Sequence, residues 1–466
     1  MIDLKLKPYY LKWIENDESI RKMAYRCYMK SGSEDTVRMY IDGVIMLSKF
    51  MKMKPSEILE SKFDWEAILN EFIAWLMFER KIARSTILIY FNGVRKWLET
   101  NLDKETWREI DWRRIDKPQK WKVERDRIPL KEDLQLMVRA ANLREKAIIT
   151  LAVSSGLRQS TILKLKIRNV KVYDQGQIKS LLTLIYELLM NEVINIIKNY
   201  GKLTINEIHK KTDIPKETLM EILSEMEKRN IIKIENENYI LNDIQVNFEL
   251  SNKEIGIIIV EPEQAKERPE KYMTFCTPEA LKYISLYLID RVKRGEKLSL
   301  EKFLFVNRSG RPLMKNTFRE NWRKLLSRIG KNIKHRKWNQ YRFHTLRKYF
   351  KTWCILSGVD RLISEFWMGH KAGIEGVYFL QGIEDLENPA LIERLIEEYK
   401  KALPQLTIFT GVEDIRSIER KWEDRFEELR EELKERDQKI IELEKRIEQL
   451  IREIREIRKG AYNYTW

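Results

Sequence analysis

Apolar positions recur at helical spacing through the first hundred residues. Thr36, Val37, Tyr40, Val44, Leu47 and Phe50 share one face. Residues 1–30 read as polar helix, with Tyr9, Tyr10 and Trp13 as packing anchors. Pro55 opens another helix, and Phe63 to Phe78 supplies a third apolar face. Arg84-Ser85-Thr86 begins a fourth, with Ile87, Tyr90, Val94 and Leu98 in step. Helices resume at Lys131. Ala147 to Val153 is apolar enough for a buried helix, and it delivers Gly156-Leu157-Arg158 at a bend that glycine permits.

The pattern then changes. Leu184–Ile197 is amphipathic, Thr204-x-x-Glu207 opens a short helix, and Pro215–Arg229 forms a third. Two strands follow, Ile231–Ile234 and Tyr239–Leu241, about a Glu-Asn-Glu turn. Ile255–Val260 and Tyr272–Phe275 read as a strand pair, and Phe303–Val306 as another short strand. A helix over Leu386–Lys401 ends at Pro404. From Trp422 onward, Phe426, Leu433, Ile440, Ile447 and Ile454 form one heptad row. Trp422, Leu429, Leu443, Leu450 and Ile457 form the other, broken by Arg436. Such rows specify a coiled coil and favour a parallel dimer, although the flanking charges leave the direction open.

Composition narrows the class. At 466 residues with 43% apolar content, the chain has room for about three domains and excludes wholesale disorder. Its three cysteines, Cys27, Cys276 and Cys354, are too scattered for a disulfide framework or zinc knuckle, and read as core thiols in a reducing cytoplasm. No apolar run reaches transmembrane length, and the N-terminus lacks the apolar core of a signal peptide. Net charge is +16, unevenly spread. Residues 183–245 carry 8 basic and 11 acidic side chains, and residues 415–458 carry 13 and 14, which leaves +20 on the remainder. A polyanion is the natural partner of that remainder. Interleaved aromatics favour nucleic acid over membrane. Richness in Lys, Glu, Arg and Ile hints at a thermophile.

Candidate chemistry gathers between Tyr341 and Phe379. Of four histidines in the chain, His344 and His370 fall here. His344 and Arg347 stand three apart and share a helix face; Gly369-His370 follows, then Tyr378 eight residues on. Histidine, arginine and tyrosine are the ingredients of metal-free phosphate chemistry, with charge to hold a phosphodiester and a phenol to attack it. Far upstream lies Ser155-Gly156-Leu157-Arg158-Gln159-Ser160.

The order of arginine after Gly-Leu, then His-x-x-Arg, Gly-His and tyrosine resembles the tyrosine recombinase (phage-type integrase) family. Thr274–Ala280 has the flavour of its archaeal branch. The resemblance implies a mainly α fold with a small antiparallel β-sheet. It divides the chain into a helical core-binding domain (1–122), a split catalytic domain (127–179 and 246–402), a winged-helix-like insertion (180–245) and a C-terminal coiled coil (413–458). It further implies that Tyr378 attacks a phosphodiester to form a 3′-phosphotyrosyl intermediate, with neither metal nor other cofactor. Arg158, Arg347 and His370 would hold the phosphate, His344 would take the phenol's proton, and Lys266 would protonate the leaving 5′-oxygen, with Lys271 as rival. Thr161 stands where the family commonly has a carboxylate, and Tyr378 comes one residue early.

Double-stranded DNA with specific recombination sites would be the partner, bound by a homo-oligomer: a dimer through the coiled coil and a tetramer on DNA, with no membrane. Two basic stretches are candidate contacts. Arg113, Arg114, Lys120 and Lys122 lie in an interdomain linker, where a merely solvated charge run is an equal alternative. Arg319, Arg323, Lys324, Lys334, Arg336 and Lys337, with Trp322, Trp338 and Tyr341, form the second. The acidic third helix of the insertion, with Glu217, Glu221, Glu225 and Glu227, suits protein contact or spacing better than DNA. Removal of the insertion should therefore leave binding and cleavage of a single duplex intact. The rival from another class is a catalytically inactive DNA-binding regulator on a recombinase scaffold, and a topoisomerase of related chemistry is a lesser one.

Overall fold

The computed structural model describes residues 4, 6–119, 126–174, 176–242, 254–265, 271–335, 338–370 and 388–409. Lys120, Lys122, Lys266, Arg336, Lys337, Tyr378 and the heptads of 413–458 lie outside the described residues. The chain divides into two units, Met1–Glu124 and Arg125–Trp466, each around its own apolar core.

The first unit is helical. It comprises α1 (Pro8–Asn16), α2 (Glu18–Ser31), α3 (Glu34–Met51), α4 (Pro55–Glu60), α5 (Trp65–Ala74), α6 (Arg84–Asn101) and α7 (Lys104–Glu109). Asp17 starts α2 by accepting the amides of Ser19 (2.9 Å) and Ile20 (3.1 Å), and Asp64 caps α5 in the same way. The expected apolar period appears on α3 as buried Val37, Ile41, Val44 and Leu47, facing Ile87, Phe91, Val94 and Leu98 of α6. The two helices cross at a pair of glycines: a Cβ on Gly43 would strike the backbone of Tyr90, and one on Gly93 that of Tyr40. Tyr10 and Trp13 pack on this core as expected, whereas Tyr9 is 53% exposed.

The second unit is mainly helical around a small antiparallel sheet. Helices α8 (Lys131–Ala140), α9 (Leu143–Ser155) and α10 (Gln159–Ile162) lead to β1 (Val170–Asp174) and β2 (Gln177–Ser180). The segment beyond folds as α11 (Leu181–Tyr200), α12 (Ile205–Thr212), α13 (Lys216–Lys228), β3 (Ile232–Glu235) and β4 (Asn238–Leu241). Thr204 and Glu207 form the capping box that their spacing predicts, and the β3–β4 turn places Asn236 and Glu237 at positive φ. The chain returns through β5 (Ile255–Val260) and β6 (Tyr272–Cys276), completing a sheet of order β2-β1-β5-β6. The remaining elements are α14 (Pro278–Lys293), α15 (Lys315–Arg328), the short pair β7 (Lys334–His335) and β8 (Trp338–Asn339), α16 (His344–Leu356), α17 (Arg361–Trp367), α18 (Pro389–Lys400) and α19 (Leu403–Leu406).

Three expectations change, and one hairpin is an addition. The hairpin β1–β2 was not legible, because Val170 and Val172 alternate over too short a run to stand out. Phe303–Val306 is no ladder strand: it makes isolated bridges, and the Arg291 guanidinium takes the carbonyls of Phe303 and Leu304 at 3.0 Å each. Pro404 sits in the first turn of α19, where its missing N–H costs nothing, and so begins a helix as well as following one. Finally, 181–241 has no core of its own. Leu184, Ile185, Leu189, Ile222 and Met226 belong to the same buried cluster as β5, β6 and α14, and Glu192–Lys293 (2.7 Å) and Glu221–Lys297 (2.8 Å) tie the surface.

The free removability expected of this segment conflicts with that continuity. Leu189→Ala should lower stability by about 2–5 kcal/mol, the usual cost of a truncated core leucine. Urea unfolding followed by tryptophan fluorescence provides the check, because residues 181–242 contain no tryptophan. An earlier unfolding of the tryptophan signal is expected; a signal unchanged by the substitution would show the segment unfolding alone.

Candidate active site

The site is assembled on the C-terminal end of α9, where the last carbonyls of a helix lack partners within it. Three consecutive carbonyls find them in three different elements. Ser154 O accepts from the Tyr399 hydroxyl of α18 (2.8 Å), Ser155 O from Thr274 Oγ1 of β6 (2.9 Å), and Gly156 O from Arg347 of α16. Gly156 closes the helix at φ +62, its N–H bonded to Ala152 O, and a Cβ there would collide with the Phe350 ring. This turn sends the chain directly into Arg158.

Arg347 is 3% exposed and spans the site. Besides Gly156 O it donates to Met368 O (2.7 Å) and to His370 Nε2 (2.7 Å). Arg158 donates to Gly369 O (3.3 Å), so both arginines converge on the Gly369–His370 turn, one from α16 and the other from just ahead of α10. Gly369 is itself at φ +64, with the Tyr272 ring where a Cβ would lie. Beneath the turn, Trp367 packs against Phe275 (centroids 5.7 Å apart), Tyr399 (5.7 Å) and Phe350 (6.4 Å).

The two histidines are held neutral. Partial desolvation comes first for His344, although the residue is exposed, and Arg347, Arg342 and Lys348 add to it against the opposing pull of Asp126; the balance holds its pKa below the usual imidazole range. Its place at the first residue of α16 works the same way. His370 is also lowered, by burial and then by Arg347 and Arg158, against the pull of Glu365. A neutral His344 can accept a proton.

Several contributors carry no signal of their own in the sequence. Glu365 accepts from His370 Nδ1 and from Lys351. Asp126 pairs with Arg342 (2.8 Å) and Lys348 (2.9 Å) beside His344. Thr161, lacking the carboxylate's charge, donates to Gln264 O (3.2 Å). Gln264 is buried and bonded to Asn169 Oδ1 (2.7 Å), Lys164 O (3.1 Å) and Glu261 N (3.0 Å), which fixes the turn over residues 261–265. Lys271 pairs with Glu261 at 3.4 Å on the surface. Glu365 lies five residues before His370, a spacing that draws no notice until α17 and its terminal turn exist.

The proposed DNA contacts divide. Arg319 and Lys324 are exposed on α15, where Arg323 is also exposed and chelated by Glu320 (2.7 and 3.0 Å). Arg113 binds Asp111 (3.0 Å), and Arg114 lies near Glu66 (3.7 Å). Lys334 falls in β7. Trp322 and Tyr341, expected at the surface, are both buried, the Trp322 indole donating to Tyr341 O (2.9 Å) and the Tyr341 hydroxyl to Asp133 (3.2 Å). They are core residues, because their polar tips find partners inside. Among the described residues no cluster of three or more His, Cys, Asp or Glu could hold a metal, and no helix is long and apolar enough to cross a membrane.

Residues 240–374 match the model of the phage integrase family, a span that includes His344, Arg347 and His370 but neither Arg158 nor Tyr378. No curated protein matches the chain. Among solved structures, the XerA recombinase is similar over 82% of this chain and 97% of its own, at 16% identity and a TM-score of 0.29. The XerH site-specific recombinase bound to difH substrate, in a pre-cleavage complex, is similar over 83% and 92% at 12% identity and a TM-score of 0.41. The Tn1549 transposon integrase in complex with transposon right end DNA is similar over 81% and 99% at 11% identity and a TM-score of 0.41.

The depressed pKa of His344 has a signed consequence. The unfolded chain binds a proton near pH 6.5 that the folded site resists. Stability from this group is therefore present above that pH and falls as pH drops through it. Urea unfolding of wild type and His344→Gln at pH 7.5, 6.5 and 5.5 isolates the effect, since all other titrating groups are shared. Wild type should lose stability relative to the variant as pH falls; a constant difference would refute the neutral assignment.

Proposed function

We propose that the chain is a tyrosine recombinase that cuts and rejoins DNA through a 3′-phosphotyrosyl intermediate. One observation carries the proposal: Arg158 and Arg347, 189 positions apart, meet at the Gly369–His370 turn. The phage integrase match over 240–374 supports it. Guanidinium groups fixed by backbone carbonyls, Arg347 buried and Arg158 half-buried, are preorganised donors, and a phosphorane builds negative charge on the nonbridging oxygens that such donors can meet. Loss of one donor of this kind typically costs ~10²–10³-fold in rate.

In this mechanism Tyr378 attacks phosphorus, forming the phosphotyrosyl bond as the P–O5′ bond breaks. The phenol's proton passes to neutral His344, because a free tyrosine with a pKa near ~10 stays protonated at neutral pH. Lys266 protonates the departing 5′-oxygen. A second 5′-hydroxyl then reverses the step, and the covalent bond conserves the energy of the broken one. The intact set of Arg158, His344, Arg347, His370 and Tyr378 weighs against an inactive regulator.

Exposed Arg319 and Lys324, with Arg113, Arg114, Arg323 and the basic positions around 120–122 and 334–337, would follow the phosphate backbone. The order of helices and strands in 181–241 suits a winged-helix-like module. The heptads of 413–458 would join two copies, and pairs of dimers would bring two duplexes together. Segment 274–280 and the composition fit an archaeal, thermophilic source and a cytoplasmic setting.

Two measurements test this. With nicked DNA carrying a site mapped beside the gene, wild type should form an adduct that survives denaturant, and Tyr378→Phe none while still shifting the DNA. An adduct persisting in the variant would remove Tyr378 from the role. Truncation after Gly411 should lower the oligomeric state found by sedimentation and impair pairing of two sites more than cleavage of one. Unchanged mass would place assembly elsewhere.

A further inference from the structure

Glu365 grips His370 twice. Its main-chain carbonyl accepts the His370 amide at 3.1 Å, and its carboxylate accepts from Nδ1 of the ring. The opposite ring nitrogen, Nε2, faces Arg347 at 2.7 Å. The other carboxylate oxygen of Glu365 takes the ammonium of Lys351. Burial pushes the Glu365 carboxyl up, but the hydrogen bonds from Lys351 and His370 outweigh it and keep the group ionised.

The tautomer follows from chemistry. A carboxylate only accepts, so Nδ1 must carry the proton; a guanidinium only donates, so Nε2 must present its lone pair. That arrangement suits Arg347 and fails a phosphate. A phosphodiester presents acceptors alone, and a lone pair on Nε2 would repel it. Moving the proton from Nδ1 to Nε2 would set a bare nitrogen against Glu365. One solution satisfies both neighbours, a ring protonated on both nitrogens.

We infer that Glu365 is a positioning residue that makes His370 a proton-linked anion clamp: His370 is neutral when the site is empty, takes one proton from solvent when the phosphate arrives, and holds it as an imidazolium between two anions. The inference rests on the phosphate-binding role given to His370 above. Charges around the ring agree. Arg347 on α16 and Arg158 ahead of α10 oppose protonation, Glu365 on α17 favours it, Lys351 on α16 divides the carboxylate's pull, and the Tyr272 phenol of β6 packs against Gly369. A bound anion offsets the two arginines and leaves Glu365 to decide the balance. Lys351 then sets how strongly it does so.

Sulfate is a suitable probe because its charge does not change between pH 6 and 9. Calorimetric titration of the full-length protein at pH 7.5, in two buffers of different ionisation heat, counts the protons taken up. Lysines and arginines at the surface stay charged in this range and contribute none. Wild type should take up a substantial fraction of one proton per sulfate, and its affinity should fall by up to ~10-fold per pH unit on the alkaline side. Glu365→Gln keeps the shape, but its amide can donate to Nδ1, so a neutral ring can offer Nε2–H. It should bind sulfate with little uptake and a flat pH profile. Lys351→Met should move the midpoint of uptake to higher pH.

No uptake by wild type, or equal uptake by Glu365→Gln, would overturn the proposal; a merely structural glutamate would weaken binding at every pH alike. Should Glu365→Gln fail to fold, an unchanged midpoint in Lys351→Met does the same. The outcome is separable from the reading of function. Uptake without a Tyr378 adduct would sink the recombinase and leave the clamp, whereas an adduct without uptake would do the reverse.

Discussion

Everything at the site depends on how one helix ends. The C-terminus of α9 leaves three carbonyls in a dry interior, where an unpaired one costs roughly 1–3 kcal/mol. Tyr399, Thr274 and Arg347 supply the donors, from α18, β6 and α16 respectively. The sheet, the helix that bears His344 and the helix beyond position 388 are therefore indexed to the same turn. Arg158 leaves that turn two residues later, so its position is set before any ligand arrives. Preorganisation here is a by-product of satisfying a helix end.

The electrostatics follow from the same economy of partners. Arg347 is buried on carbonyl dipoles, which hold a guanidinium without cancelling its charge. The acidic groups stand one step back: Glu365 reaches His370 and Lys351, and Asp126 reaches Arg342 and Lys348. Both histidines respond by staying neutral. The centre is thus left positive through its two arginines.

Much of this was legible in the chain. The α3 and α6 faces, the α9 burial and its glycine stop, the capping box of α12 and the β5–β6 pair all follow from period and punctuation, which are local. Arg158, His344, Arg347 and His370 could be chosen because their order resembles a known family. What stayed hidden was contact between distant positions. Trp322 and Tyr341 sit in a basic stretch and looked like surface, yet each buries its ring and spends its polar tip on an internal partner. Glu365, Gln264 and Asp126 are ordinary polar residues until the turn or helix that presents them is formed. Nor does charge counting distinguish a free arginine from one such as Arg323, already chelated by its neighbour on the next turn.

The acidic segment shows the same limit and also what lies past it. Its composition suggested an appendage, since a net charge opposite to the rest reads as a separate body. Its apolar residues say otherwise, because α11 packs against α14 and joins the core that α14 shares with α9. The acidic surface is partly consumed in this attachment, with Glu192 and Glu221 bound to Lys293 and Lys297 at the end of α14 and just beyond it. Helix α14 lies along α9, and α9 ends at the turn that aims Arg158. Close-packed interiors transmit displacement and do not absorb it. A shift of α11 relative to α14 is therefore coupled by direct packing to the helix that carries the arginine turn, and the segment is mechanically part of the site's scaffold whatever its outer face touches.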